Sequence, residues 1–99
     1  MIRHCVMFRW KVGTPPATID EVESALAKLP AAIPAIASYS FGRDVGVNAG
    51  NHEFVVVADF ATLDDYLVYR DHPDHKQVIV DLIVPNISER SAVQFDAAR

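Results

Sequence analysis

Glu53-Phe54-Val55-Val56-Val57-Ala58-Asp59-Phe60 is the most strand-like run in the chain, and the rest of the fold reads outward from it. β-Branched and aromatic residues dominate it, and these pack best on a pleated surface. Alternation puts Phe54, Val56, Ala58 and Phe60 on one face. Val55 and Val57 stand on the other, so the second face is not fully polar. Such a strand belongs in the interior of a sheet that helices cover on one side only.

On the N-terminal side of this run, Gly46-Val47-Asn48-Ala49-Gly50-Asn51 is rich in turn formers and predicts a hairpin loop. The loop leads back to an alternating segment, residues 36–46, with Tyr39 and Phe41 on one face and Ser38, Ser40 and Gly42 on the other. On the C-terminal side, Thr62-Leu63-Asp64-Asp65 resembles a capping box and starts a helix that reaches Asp71. His72-Pro73 interrupts it, because the residue before a proline is pushed out of the helical region. Pro73 suits the first turn of another helix, in which His75, Val78, Ile79 and Leu82 share a face. Pro85 stops that helix, and a last strand runs from Ile87 to Phe95 with Val93 and Phe95 expected inward.

The opening residues 2–11 alternate as well. Ile2, His4, Val6, Phe8 and Trp10 form the core-facing set, and Arg3, Cys5, Met7, Arg9 and Lys11 the mixed one. After Gly13, a helix opens either at Thr14-Pro15-Pro16 or, by capping-box spacing, at Thr18-Ile19-Asp20-Glu21. Ile19, Val22, Leu26 and Leu29 make its apolar stripe, and Pro30 and Pro34 end it. The order β-α-β-β-α-β is the split-βαβ, ferredoxin-like arrangement. The fold class is therefore α+β, with a four-stranded antiparallel sheet and one domain over residues 1–99.

Composition agrees. The chain has 99 residues, of which 51% are hydrophobic, rich for a domain this small. At this size only about two-thirds of the unfolded surface can be buried, so the excess is expected to be covered by a second copy, sheet face to sheet face. The net charge of −4 is scattered, without a Lys/Arg stripe, which argues against a nucleic-acid partner. Cys5 is the single cysteine, and the opening residues lack the layout of a signal peptide. No apolar run approaches the ~20 residues that span a bilayer. A soluble cytoplasmic protein without a membrane partner is expected.

Three segments then carry a resemblance. Ile2-Arg3-His4-Cys5-Val6-Met7-Phe8 looks like an I-R-H-x-V-x-F opening. Ile33-Pro34-Ala35-Ile36, followed by Phe41-Gly42-Arg43-Asp44-Val45, resembles I-P-G-I … x-G-x-x-V. Tyr69-Arg70-Asp71-His72-Pro73-Asp74-His75 matches Y-x-x-H-P-x-H completely. In this order and spacing they resemble the stress-responsive dimeric α/β-barrel (Dabb) domain family. The resemblance implies a homodimer in which two sheets face each other as a barrel. One branch of the family comprises polyketide cyclases that close an aromatic ring by intramolecular aldol condensation. Their catalytic tyrosine and histidine correspond here to Tyr69 and His75. That branch carries a histidine where this chain has Phe54 and a tyrosine where it has Leu26, so the pocket expected here is more apolar.

The residues themselves support a site at that corner. His75, close to a helix N-terminus, is disfavoured as imidazolium by the helix dipole, and neutral imidazole is what a general base requires. The competing reading is a buried histidine that bonds the backbone and fixes the His72-Pro73 corner. Tyr69 can polarise a carbonyl through its phenol or serve as a packed aromatic at a pocket rim. His4, on the core face, needs a hydrogen-bond partner; it joins Phe54 and Leu26 as a ligand-contact candidate. His72 is expected to shape the corner, and His52 to lie exposed at a loop edge. His72 and His75 are three apart, but Pro73 spoils the helical geometry and no carboxylate has an obvious inward position beside them, so neither metal nor cofactor is expected. Two functions follow: a pocket for a small apolar or aromatic molecule, with cyclase- or lyase-type acid–base chemistry, or a non-enzymatic stress or interaction protein whose role is a stable homodimer.

Overall fold

β1 (Ile2–Trp10) and β3 (Phe54–Phe60) pair antiparallel at the centre of a four-stranded sheet in the computed structural model, which describes residues 1–97. Residues 98 and 99 of the expected domain lie outside the described residues. β2 (Ser38–Arg43) flanks β3 and β4 (Ile87–Asp96) flanks β1, giving the order β2-β3-β1-β4 with every pairing antiparallel. This is the expected ferredoxin-like α+β sheet. β2 is shorter than the segment 36–46 suggested.

The helices lie on one face. α1 (Pro16–Ala27) begins at the proline pair, with Pro15 as N-cap and Pro16 in the first turn. That resolves its start, and Thr18 lies inside the helix. Lys28 separates it from a short α2 (Leu29–Ala32), whose first turn accommodates Pro30. α3 (Leu63–Asp71) is capped by Thr62, whose hydroxyl accepts the Asp65 N–H at 3.2 Å. His72 ends α3 and caps α4 (Pro73–Val78), its Nδ1 accepting the Asp74 N–H at 3.1 Å. The chain continues through a π-turn at Ile79–Ile83 and a 3₁₀ turn at Val84–Asn86 into β4.

The core forms where α1, α2, α3 and the π-turn meet the helix-facing side of the sheet. His4, Val6, Phe8 and Trp10 of β1 and Phe54, Val56, Ala58 and Phe60 of β3 are all buried there, as alternation required. Val22, Leu26, Leu29, Ile33, Tyr69 and Ile83 close over them.

The last strand departs from expectation. Val93 and Phe95 do not point inward; they are 55% and 44% exposed, opposite Cys5 and Arg3 on the helix-free face. The reason is a β-bulge. Trp10 pairs with Ile87 and Arg9 with Glu89, so Ser88 is an extra residue, and its hydroxyl donates to the Trp10 carbonyl at 3.3 Å. One added residue inverts the facing of all that follow. Ile87 lies opposite Trp10 on the helix side, and beyond the bulge Arg90, Ala92 and Gln94 face that side too, opposite Phe8, Val6 and His4.

The helix-free face therefore carries Cys5, Met7, Val55, Val57, Val93 and Phe95 as an apolar band. At one end of it Asp59 is buried, accepting two hydrogen bonds from Arg3 (2.8 and 3.0 Å) and one from the Ser38 hydroxyl (2.9 Å). No helix among the described residues is long and apolar enough to cross a membrane.

Candidate functional site

A cavity of about 450 Å³ lies between the sheet and the helices, within the size range of small-molecule sites. His4, Val6 and Phe8 of β1 and Val56 of β3 form its floor. Tyr69 of α3, His75 of α4, and Ile79 and Ile83 of the π-turn face them, and Leu26 of α1, Tyr39 of β2, Arg70, Lys76, Val80 and Arg90 also line the space. His75, Ile79 and Ile83 follow one another at intervals of four, a single helical row. Val78 and Leu82, expected on the same stripe as His75, instead line a groove against α1 and α2. π-Turns are rare and recur at functional sites.

Four of the five sequence-derived candidates meet here. The Tyr69 and His75 rings are stacked at a tilt, centroids 4.1 Å apart. The His4 ring lies 6.0 Å from Tyr69 and 5.3 Å from Tyr66. Leu26 borders the same space. Phe54 does not: it stacks on Phe8 and Phe41 in the core. The register sets it beside Phe8, at the opposite end of β1 from His4, whose partner on β3 is Ala58. The four-residue separation along β3 amounts to about 13 Å at ~3.3 Å per residue. His52, expected to be exposed, is partly buried against Ser91 and Glu89 on the other face of the sheet.

Hydrogen bonds orient both histidines. His75 Nδ1 lies 3.2 Å from the Arg70 carbonyl oxygen, which only accepts. Nδ1 therefore carries the proton, leaving Nε2 with its lone pair. The Gln94 amide nitrogen, by contrast, lies 2.8 Å from His4 Nδ1 and donates to it, so the His4 proton sits on Nε2. One imidazole offers an acceptor and the other a donor.

Burial, foremost, lowers the pKa of His75, with the charges of His72 and Arg90 adding to it and the Arg70 carbonyl opposing it. The helix dipole invoked from sequence is not needed. His4 is pushed down to about 4, again chiefly by burial and then by the Arg90 and His75 charges. Both rings are neutral near pH 7. The Tyr69 hydroxyl lies 3.0 Å from that of Tyr39. Burial raises both phenols, Tyr39 to about 12 and Tyr69 further, so both stay protonated and act as hydrogen-bond donors. The pair holds two hydroxyl protons and uses one between its members, leaving the other for a ligand. Neutral imidazole with a free Nε2 beside phenolic O–H can remove a proton and stabilise the oxygen that gains charge.

Sequence reading missed Tyr39, Gln94 and Arg90. Tyr39 was on the right face but carried no motif. Gln94 and Arg90 reach the helix side through the Ser88 bulge, which no residue type announces. Among the described residues no three His, Cys, Asp or Glu side chains are grouped to hold a metal ion.

Comparison with known proteins places this arrangement. The model of the Stress responsive A/B Barrel Domain matches residues 2–97. A dimeric ferredoxin-like protein of unknown function from Thermobifida fusca is 47% identical, with TM-score 0.88 over 95% of this chain and 88% of that one. A dimeric protein of unknown function and ferredoxin-like fold from Bacteroides fragilis is 23% identical, with TM-score 0.82 over 96% and 94% of the two chains. The hydroxynitrile lyase of Passiflora edulis is 18% identical, with TM-score 0.84 over 95% and 90%. The two more distant similarities are of fold. No curated protein matches the chain in sequence.

Proposed function

The chain belongs to the stress responsive A/B barrel domain family, and from that premise we propose that it is a homodimer binding a small, largely apolar or aromatic molecule in the cavity beneath its helices. The domain spans residues 1–99, and the dimer packs helix-free face on helix-free face. The apolar band from Cys5 to Phe95 and the dimeric state of the Thermobifida fusca relative support that pairing. The site is then separate from the dimer contact, on the opposite side of the sheet.

The observation that carries the reading is the meeting of Tyr69, His75 and His4 around one apolar cavity with both histidines neutral. His75 Nε2 takes a proton from a carbon beside a carbonyl group: the C–H bond breaks, an N–H bond forms, and the electron pair moves onto the carbonyl oxygen. The Tyr69–Tyr39 hydroxyl pair and the His4 Nε2–H donate to that oxygen as its charge grows. An enolate made this way is the nucleophile of an aldol-type ring closure; in a lyase step the same base takes a hydroxyl proton instead, the new carbonyl forms, and the C–C bond beside it breaks with its electron pair leaving on the departing carbon. Leu26 leaves no hydroxyl at its position on the wall, which favours an apolar body for the ligand.

Native mass spectrometry of the purified protein tests this. The expected spectrum contains a dimer with a co-purifying small molecule that is lost in the folded Tyr69→Phe/His75→Ala variant. A ligand-free dimer that also takes up no aromatic compound in the cavity contradicts the pocket and leaves dimerisation itself as the role.

A further inference from the structure

Every charged side chain lining the cavity is a cation: Arg70, Lys76 and Arg90. The chain as a whole is acidic, with 13 Asp and Glu against 9 Lys and Arg, so the absence of a carboxylate from this lining runs against composition. The three cations are not equivalent. Arg70 is bound in a fork to Asp71 at 2.9 and 3.1 Å, and the Lys76 charge acts on the same carboxylate. Arg90 has no acidic partner among the described residues. It stands opposite Phe8 on the helix-facing side of β4, where the bulge at Ser88 has turned it, and its charge reaches both His4 and His75.

We propose that Arg90 is the anchor for a carboxylate, so that the cavity takes aromatic or apolar monocarboxylic acids with the acid group at Arg90 and the hydrophobic body against Val6, Phe8 and Leu26. This rests on the pocket reading above and adds the substrate class to it. A planar guanidinium presents two parallel N–H groups that match a carboxylate. The apolar floor beside it supplies the area for a ring or alkyl chain. The anchored acid lies across the sheet from the dimer face, so binding and assembly do not compete. Arg90 is a binding residue, not the base, and it fixes which end of the molecule meets Tyr69 and His75.

The test uses a matched pair of probes, 2-naphthoate and 2-naphthamide, which share shape and differ in charge. Amide resonances of the ¹⁵N-labelled protein are followed as each is added at neutral pH. Both probes are expected to shift resonances of Val6, Phe8 and Ile79. Naphthoate binds more tightly by about tenfold, the order of a charge-assisted hydrogen-bonded pair, and weakens as salt is raised. In Arg90→Gln the naphthoate advantage disappears while naphthamide affinity is unchanged; Arg70→Gln, whose arginine is already paired, keeps most of it. Equal affinities for the two probes in the wild-type protein, or a loss in Arg90→Gln common to both, overturns the anchor while leaving the pocket standing. If neither probe shifts the cavity resonances, the pocket reading falls and the anchor with it.

Discussion

Tyr39 on β2 and Tyr69 on α3 join their hydroxyls at 3.0 Å across the top of the core, their rings meeting edge to face 6.0 Å apart. The contact ties an edge strand to the helix that carries one half of the site. Removing one hydroxyl leaves the other buried without its partner, which costs about 1–3 kcal/mol, whereas removing both costs less than the sum. Tyr39→Phe and Tyr69→Phe are expected each to lower the urea midpoint, with the double variant no worse than the poorer single one. Strict additivity in this cycle would show that the two hydroxyls do not interact.

Acid should weaken the fold through His4. Its folded-state pKa, about 4, lies below the ordinary 6.5, so between these values the unfolded chain binds more protons than the native one. Stability is therefore complete above pH 6.5 and is lost as pH falls towards 4, by roughly 3 kcal/mol from this group. His75 acts in the same direction. Urea unfolding at fixed protein concentration should show a steeper decline over this range for the wild type than for His4→Gln, which keeps a polar group but does not titrate. Parallel profiles would remove His4 as the source.

Assembly should fail when the apolar band is charged. Cys5 stands between Val57 and Val93 on the helix-free face, and a buried ammonium there has no partner. The wild-type protein is expected to sediment at twice the chain mass and Val57→Lys as a monomer with unchanged secondary structure. A dimeric Val57→Lys would move the interface elsewhere.

Much of this was legible in the residues. Alternation in β1 and β3 read the buried faces correctly, because both are interior strands whose two faces differ sharply. The Thr62 cap and the His72-Pro73 break marked α3 and α4, since each acts through its own backbone neighbours. β4 was harder. Its edge position leaves most residues exposed, so hydrophobicity does not mark its faces, and the bulge at Ser88 inverts them without a glycine or proline to signal it. That one residue accounts for the misplacement of Val93 and Phe95 and for the late appearance of Arg90 and Gln94. Phe54 was carried to the site by resemblance to a pocket histidine, yet here its side chain packs on Phe8 and Phe41 instead.

His4 and His75 present a neutral donor and a neutral acceptor to one ligand cavity. Long-range ¹H–¹⁵N correlation spectra of the imidazole nitrogens, recorded at neutral pH before and after adding 2-naphthoate, read both tautomers at once. His75 is expected to be protonated on Nδ1 and His4 on Nε2 in the free protein, with the signals of both rings moving together as the probe saturates. An imidazolium at either position, or two rings that ignore a probe bound elsewhere on the protein, would contradict it.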